Sequence, residues 1–203
     1  MLNSEAMNAK LDPFSGAHSD SIPYATQIPK SLLFKDVKVK EDTFTLNNDN
    51  YTTILFDPLV NKGIVKFVVQ SIKNLGAVGI ADETVKYERR ESPQARGGGK
   101  IVGYDQFGDI EHKYKLIEGN TKFDTEDRVT LELDMDSSPR TLTFFVNDEE
   151  QMNYVTNIPA AVRAFLFKKA SAFKVLKFDA LSAPTAKHGA GSRAWEYGTE
   201  WEK

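Results

Sequence analysis

The chain has no cysteine, only three histidines, and no tryptophan before Trp195. Without cysteine there are no disulfides, thiolate metal ligands or thiol nucleophiles, which excludes a small secreted scaffold stapled by disulfides. No apolar run approaches the ~20 residues that a membrane-spanning helix needs. The N-terminal stretch carries Glu5, Lys10, Asp12 and Asp20 and holds no apolar core of signal-peptide length. The expectation is a soluble, cytoplasmic protein without a membrane partner. A surplus of one charge sign is missing too. The 26 basic and 29 acidic residues leave a net charge of -3, which marks no polyanion binder and sets nucleic acid aside as a partner.

Reaction chemistry is equally scarce. There is no Gly-x-Ser-x-Gly elbow and no His-Glu-x-x-His pair. His18, His112 and His188 lie far apart along the chain, so a histidine triad or three-histidine metal site would need three distant regions to converge. Gly97-Gly-Gly-Lys100 is followed by Ile101, where a phosphate loop needs Ser or Thr for magnesium. Asp134-Met-Asp-Ser-Ser-Pro139 puts proline where a calcium loop requires glycine. The expectation is a protein that is not an enzyme, with no catalytic residue, no cofactor and no metal.

What the chain does have is a period of two. From Arg128 to Met135, the apolar residues Val129, Leu131, Leu133 and Met135 alternate with polar ones, which gives a strand one apolar and one polar face. After the turn Asp136-Ser-Ser-Pro139, Leu142, Phe144 and Val146 resume the alternation. This is an antiparallel hairpin, expected to have one buried face and one wet face. Further strands are expected over 32–39, 43–46, 51–56, 63–70, 75–80, 100–104, 111–116, 161–167 and 173–178. Helical periodicity is nearly absent between them, which excludes a doubly wound α/β enzyme fold. The fold class is therefore all-β, an antiparallel β-sandwich.

Three segments are expected. Residues 1–30 form an N-terminal arm with Pro13, Pro23 and Pro29 and a short helix near 4–11. Residues 31–180 form the sandwich. Residues 181–203 read as a flexible C-terminal tail that ends in the cluster Trp195, Tyr197 and Trp201. That cluster either packs back on the sandwich or the N-terminal arm, or is a linear segment shown to a partner. Both arms are expected to be dispensable to the core.

The order of these pieces resembles the SPRY (B30.2-like) family of concanavalin-like sandwiches over roughly residues 31–180. The resemblance rests on Leu133-Asp134, Thr141-Leu142, Phe144 and Asn147 in the hairpin, Asn157-Ile158-Pro159 after it, and the strands that follow. The glycine strand Leu75-Gly-Ala-Val-Gly-Ile80 departs from the family pattern, because no bulky aromatic precedes its first glycine. The resemblance implies a non-catalytic protein-interaction module, an adaptor whose rim loops grip a peptide or protein partner. The alternative is a lectin-like, carbohydrate- or small-ligand-binding sandwich, for which Tyr104, Asp105, Gln106 and Phe107 would serve.

Two loops combine charge with aromatic surface. The connection 81–100 is nearly twenty residues long, and such loops in compact domains are usually functional or disordered. The turn 103–109 is aromatic-tipped and flanked by glycines. Tyrosine, phenylalanine and arginine are the usual interface anchors, so Tyr87, Arg89, Arg90, Tyr104 and Phe107 are the expected partner-binding residues. The opposing reading packs Tyr104 inward and leaves the arginines in solvent. Oligomeric state is not readable.

Overall fold

The computed structural model describes residues 19–23, 25–27, 36–46, 48–168 and 171–202. The expected helix near 4–11, His18 and the first part of the expected strand 32–39 lie outside the described residues. In chain order the strands are β1 (Ser19–Ser21), β2 (Ala25–Gln27), β3 (Val37–Lys40), β4 (Thr43–Leu46), β5 (Thr52–Val60) and β6 (Ile64–Lys73). Next come β7 (Ala77–Asp82), β8 (Ile101–Asp105), β9 (Ile110–His112), β10 (Lys115–Ile117), β11 (Arg128–Asp134) and β12 (Thr141–Val146). The last are β13 (Glu149–Glu150), β14 (Asn153–Thr156), β15 (Val162–Lys168), β16 (Ala172–Leu181) and β17 (Arg193–Glu196).

They form two sheets. The larger runs β17-β14-β12-β11-β6-β16-β4-β3, with β1 beside β16 and β13 beside β12; the smaller runs β10-β9-β8-β7-β15-β5-β2. Among the described residues the pairings are antiparallel except β14 with β17. This is the all-β sandwich expected from the alternation.

Alternation also builds the core. Val65, Phe67 and Val69 of β6 and Val129, Leu131 and Leu133 of β11 share one buried cluster with Val78 and Ile80 of β7 and Val102 of β8, so the inner faces of the two sheets interdigitate. Phe44, Phe56, Phe67 and Phe178 link through ring contacts at 5.0 to 5.8 Å. The hairpin has the register its pattern demands, with Leu133 opposite Leu142, Leu131 opposite Phe144 and Val129 opposite Val146.

The second face of that hairpin is not wet. Thr130, Glu132 and Thr143 are buried, and residues 185–188 cross this face at Glu132 and Thr143. The Glu132 carboxylate accepts the backbone N–H groups of Thr185 and Ala186, each at 2.8 Å, and the Thr185 hydroxyl. Glu150 likewise accepts the N–H groups of Lys187 and His188 at 2.7 and 2.8 Å. His188 stacks on Tyr154 with ring centroids 3.8 Å apart. A buried charge must find such partners, and hydrogen bonds to charged groups contribute about 1.5–3 kcal/mol each.

Within the segment 181–203, expected as a flexible tail, residues 181–202 are thus a strap bound along the sandwich. After 185–188 the chain adds β17 to the sheet edge, and the Trp195 indole Nε1–H donates to Asn153 Oδ1 at 3.0 Å. Trp201 is 3% exposed within the main core. The segment looked loose in sequence because it has few aliphatic residues; backbone N–H groups on carboxylates and a pair of indoles hold it instead. The N-terminal arm contributes as well, since β1 pairs with β16 and β2 with β5. The expected strand 111–116 is two strands, β9 and β10, reversed at Lys113 and Tyr114 with φ of 49° and 64°. Neither glycine nor asparagine announces that turn.

Candidate functional site

Alternation along β8 sends Val102 and Tyr104 inward and Ile101, Gly103 and Asp105 outward. Tyr104 is fully buried, with Phe144 and Phe123 rings 5.0 and 5.5 Å away, and its hydroxyl donates to the Thr121 carbonyl. Burial pushes that hydroxyl well above the usual tyrosine range. Tyr104 is therefore placed in the core rather than on a rim.

The loop after β7 folds back over the outer face of the smaller sheet. Val85 and Tyr87 join Leu55, Ala81, Ile101 and Phe165 in a second buried cluster, and the Tyr87 hydroxyl donates to the Pro93 carbonyl at 2.8 Å. The long connection is a packed cover. Arg89 grips Asp36 with Nε and Nη2 at 2.6 and 2.9 Å, and this bond holds the Asp36 carboxyl below the usual carboxylate range. Arg90 is exposed at a φ of 66°.

Phe107, 61% exposed, caps the turn between β8 and β9. The turn is rigid: Asp105 Oδ1 accepts the N–H groups of Phe107 and Asp109 at 2.9 and 3.1 Å, and the Gln106 N–H donates to the Gly76 carbonyl at 2.9 Å. Gly108 has a φ of 91°, and a Cβ there would collide with the Asn120 carbonyl.

Between this turn, the cover and the sheet lies an open cavity of about 340 Å³. Gly103, Ile101 and Phe165 form its floor, Pro93 and Gln94 come from the cover, and Asp105, Gln106 and Phe107 come from the turn. Tyr51 and Phe167 stack at 5.6 Å on another side, with Tyr51 51% exposed. Glu111 faces Gly103 across the β8–β9 ladder. Gln94 Nε2 donates to Glu111 Oε2 at 2.6 Å, while burial, reinforced by the Asp105 charge, pushes the Glu111 carboxyl up. Of the five residues expected at a partner site, Phe107 lines the cavity; Arg90 is exposed, Arg89 is tied to Asp36, and Tyr87 and Tyr104 are interior.

Tyr51, Phe167, Gln94 and Glu111 carry no motif that marks them in the sequence. One signal was present. Phe165 and Phe167 fall on the face of β15 opposite Ala164 and Leu166, so both of its faces are apolar, which implies that something covers the outer one. Among the described residues no group of three or more His, Asp or Glu is placed to hold a metal ion.

No family sequence model and no curated protein sequence matches the chain. Solved structures do resemble it. The SPRY domain of human HERC1 superposes with a TM-score of 0.55 at 18% identity, covering 70% of this chain and 92% of that one. A human SPRY domain gives 0.53 at 14% identity, covering 70% and 94%. The PSpry domain of TRIM65 gives 0.54 at 10% identity, covering 70% and 85%. Leu75, which stands before the first glycine of the glycine strand, is 2% exposed in the core. The chain is a β-sandwich with the SPRY-domain fold.

Proposed function

We propose that the chain is a non-catalytic interaction module that holds a peptide or protein partner at the cavity between the 83–100 cover and the β8–β9 turn. One observation carries the reading: a rigid turn projects Phe107 over an open cavity, and Tyr51 stands exposed at the same mouth. Large aromatics are normally buried, and exposed ones beside a concave site are the usual interface anchors. The cavity volume falls within the range of small-ligand sites, which suits one or two inserted side chains of a partner.

The second reading, a carbohydrate or small-ligand site, draws on the carboxylate and amide groups of Asp105, Glu111, Gln94 and Gln106 beside the same aromatics. Such groups hydrogen-bond hydroxyls while a ring stacks on an aromatic face.

The experiment is capture from a proteome and on a glycan array, each with the parent chain, Phe107→Ala and Gly103→Val. A Cβ at Gly103 would sit 3.9 Å from Phe165 and 4.0 Å from Glu111, so valine enters the cavity without a clash at its first atom. Protein capture lost in both variants, at unchanged melting temperature, is the expected result. Capture equal to that of the parent chain overturns the site. Glycan retention that the variants abolish shifts the reading to the second one.

A further inference from the structure

We propose that the cavity selects a basic side chain, lysine or arginine, on the peptide it binds; this deepens the proposed function and rests on it. Among the described residues the charged side chains that line the cavity are Asp105 and Glu111, both acidic. Among the described residues neither takes part in an ion pair. Each has one oxygen spoken for: Asp105 Oδ1 by two backbone N–H groups, Glu111 Oε2 by Gln94. Among the described residues Asp105 Oδ2 and Glu111 Oε1 accept no hydrogen bond.

A carboxylate pushed up by burial and by a like charge has an unmet demand for a cation. Inside a partly desolvated cavity that demand is worth more than on an open surface. The rest of the lining supplies what the remainder of a lysine or arginine needs. Phe107, Tyr51 and Phe167 offer apolar surface for a methylene stem and ring faces for the cationic head. Gly103 leaves the floor open below Glu111, with which it is in register. An acidic or phosphorylated residue would meet, among the described residues, two like charges, with side-chain amides and the Tyr51 hydroxyl as donors.

The test pans a random-peptide display library on the full chain, then measures individual enriched peptides on the parent chain and on Glu111→Gln, Asp105→Asn, Phe107→Ala and Gly103→Val. The two carboxylate substitutions are near-isosteric, and thermal melting of each variant monitors its fold. Enriched peptides are expected to share a lysine or arginine. Replacing that residue by norleucine, or using Glu111→Gln, should weaken binding by about tenfold or more, and added salt should weaken the parent complex.

Peptides that lose affinity for Phe107→Ala and Gly103→Val, yet lack a basic residue or ignore Glu111→Gln and Asp105→Asn, overturn the charge selectivity while leaving the cavity as the binding site. Peptides that bind all four variants like the parent, or a library that enriches nothing, overturn the binding site and the selectivity together.

Discussion

The backbone N–H of Gly198 donates to His112 Nε2 at 2.9 Å, while Nδ1 of the same ring bonds the Ile101 carbonyl at 2.7 Å. Nδ1 faces an acceptor and must carry the proton, so Nε2 is the lone-pair nitrogen and the imidazole is neutral. Tyr197 and Trp201 close on this ring at 4.5 and 5.2 Å. One histidine thereby joins the C-terminal strap to the smaller sheet.

That junction is sensitive to pH. Burial holds the imidazole below the ordinary histidine value of 6.5; Lys113 acts in the same direction, while the Ile101 bond and Glu200 oppose it. The folded state therefore binds fewer protons than the unfolded one as pH falls through about 6.5. His112 contributes fully above that value, and its contribution is lost progressively as pH drops toward the folded-state value. Below it the protonated ring sets an N–H against the Gly198 N–H. Both tryptophans of the chain lie in the strap, so indole fluorescence reports its release. Urea midpoints measured between about pH 7 and pH 5 should fall for the parent chain and stay flatter for His112→Leu. Equal slopes for the two would show that His112 is not the sensor.

Trp201 belongs to the main core, and its indole Nε1–H donates to the Glu196 carbonyl at 2.9 Å. Trp201→Ala should lower unfolding stability by about 3–5 kcal/mol, the range for deleting a buried large aromatic. Trp195→Phe should lose about 1 kcal/mol with its bond to Asn153. Ending the chain before residue 182 should cost more than either, because Glu132 would lose its backbone donors. Denaturant titrations decide; a truncated chain that unfolds at the parent midpoint would show the strap to be dispensable.

Tyr104→Ala should melt early, by about 3–5 kcal/mol, since it opens a void between Phe123 and Phe144. Tyr104→Phe keeps the ring and loses only the hydroxyl bond to Thr121, at about 1 kcal/mol. Calorimetry of the pair separates ring packing from hydrogen bonding. An unchanged melting temperature for Tyr104→Ala would place the ring outside the core.

The strands that alternation announces are present because their apolar residues meet a facing sheet: 129–135 against 142–146 is the clearest case, and 63–70, 75–80 and 161–167 follow. The same pattern was silent about what lies over the outer faces. Glu132, Thr130 and Thr143 read as solvated by residue type, but the Glu132 carboxylate is met by the backbone N–H groups of Thr185 and Ala186, and Thr143 by the His188 ring, more than forty positions later, and backbone donors have no side-chain signature. Tyr104 and Tyr87 read as interface anchors by residue type, although the parity of Val102 and Tyr104 on β8 already pointed Tyr104 inward. Phe107 was legible as the tip of a turn. The rest of the cavity was not, since Tyr51, Gln94, Glu111 and Phe167 come from four separated segments and meet only through the register of the smaller sheet.

Gly79 and Gly103 stand opposite each other on β7 and β8, yet their substitutions should behave in opposite ways. A Cβ at Gly79 would run into the Val102 carbonyl oxygen and lie 2.6 Å from Phe165 Cζ, whereas one at Gly103 reaches nothing nearer than 3.9 Å. Gly79→Ala forces backbone or the Phe165 ring to move, a strain of about 1–3 kcal/mol. Gly103→Ala removes conformational entropy from the unfolded chain and should raise stability by up to about 1 kcal/mol. Enlarging the residue to valine at position 103 should then narrow the cavity floor and reduce ligand binding without lowering the melting temperature. Thermal melts of the three variants, with binding measured on the same samples, test the arrangement. If Gly103→Ala destabilises the fold as much as Gly79→Ala does, the floor beneath Glu111 is already filled and the cavity cannot accept a partner's side chain.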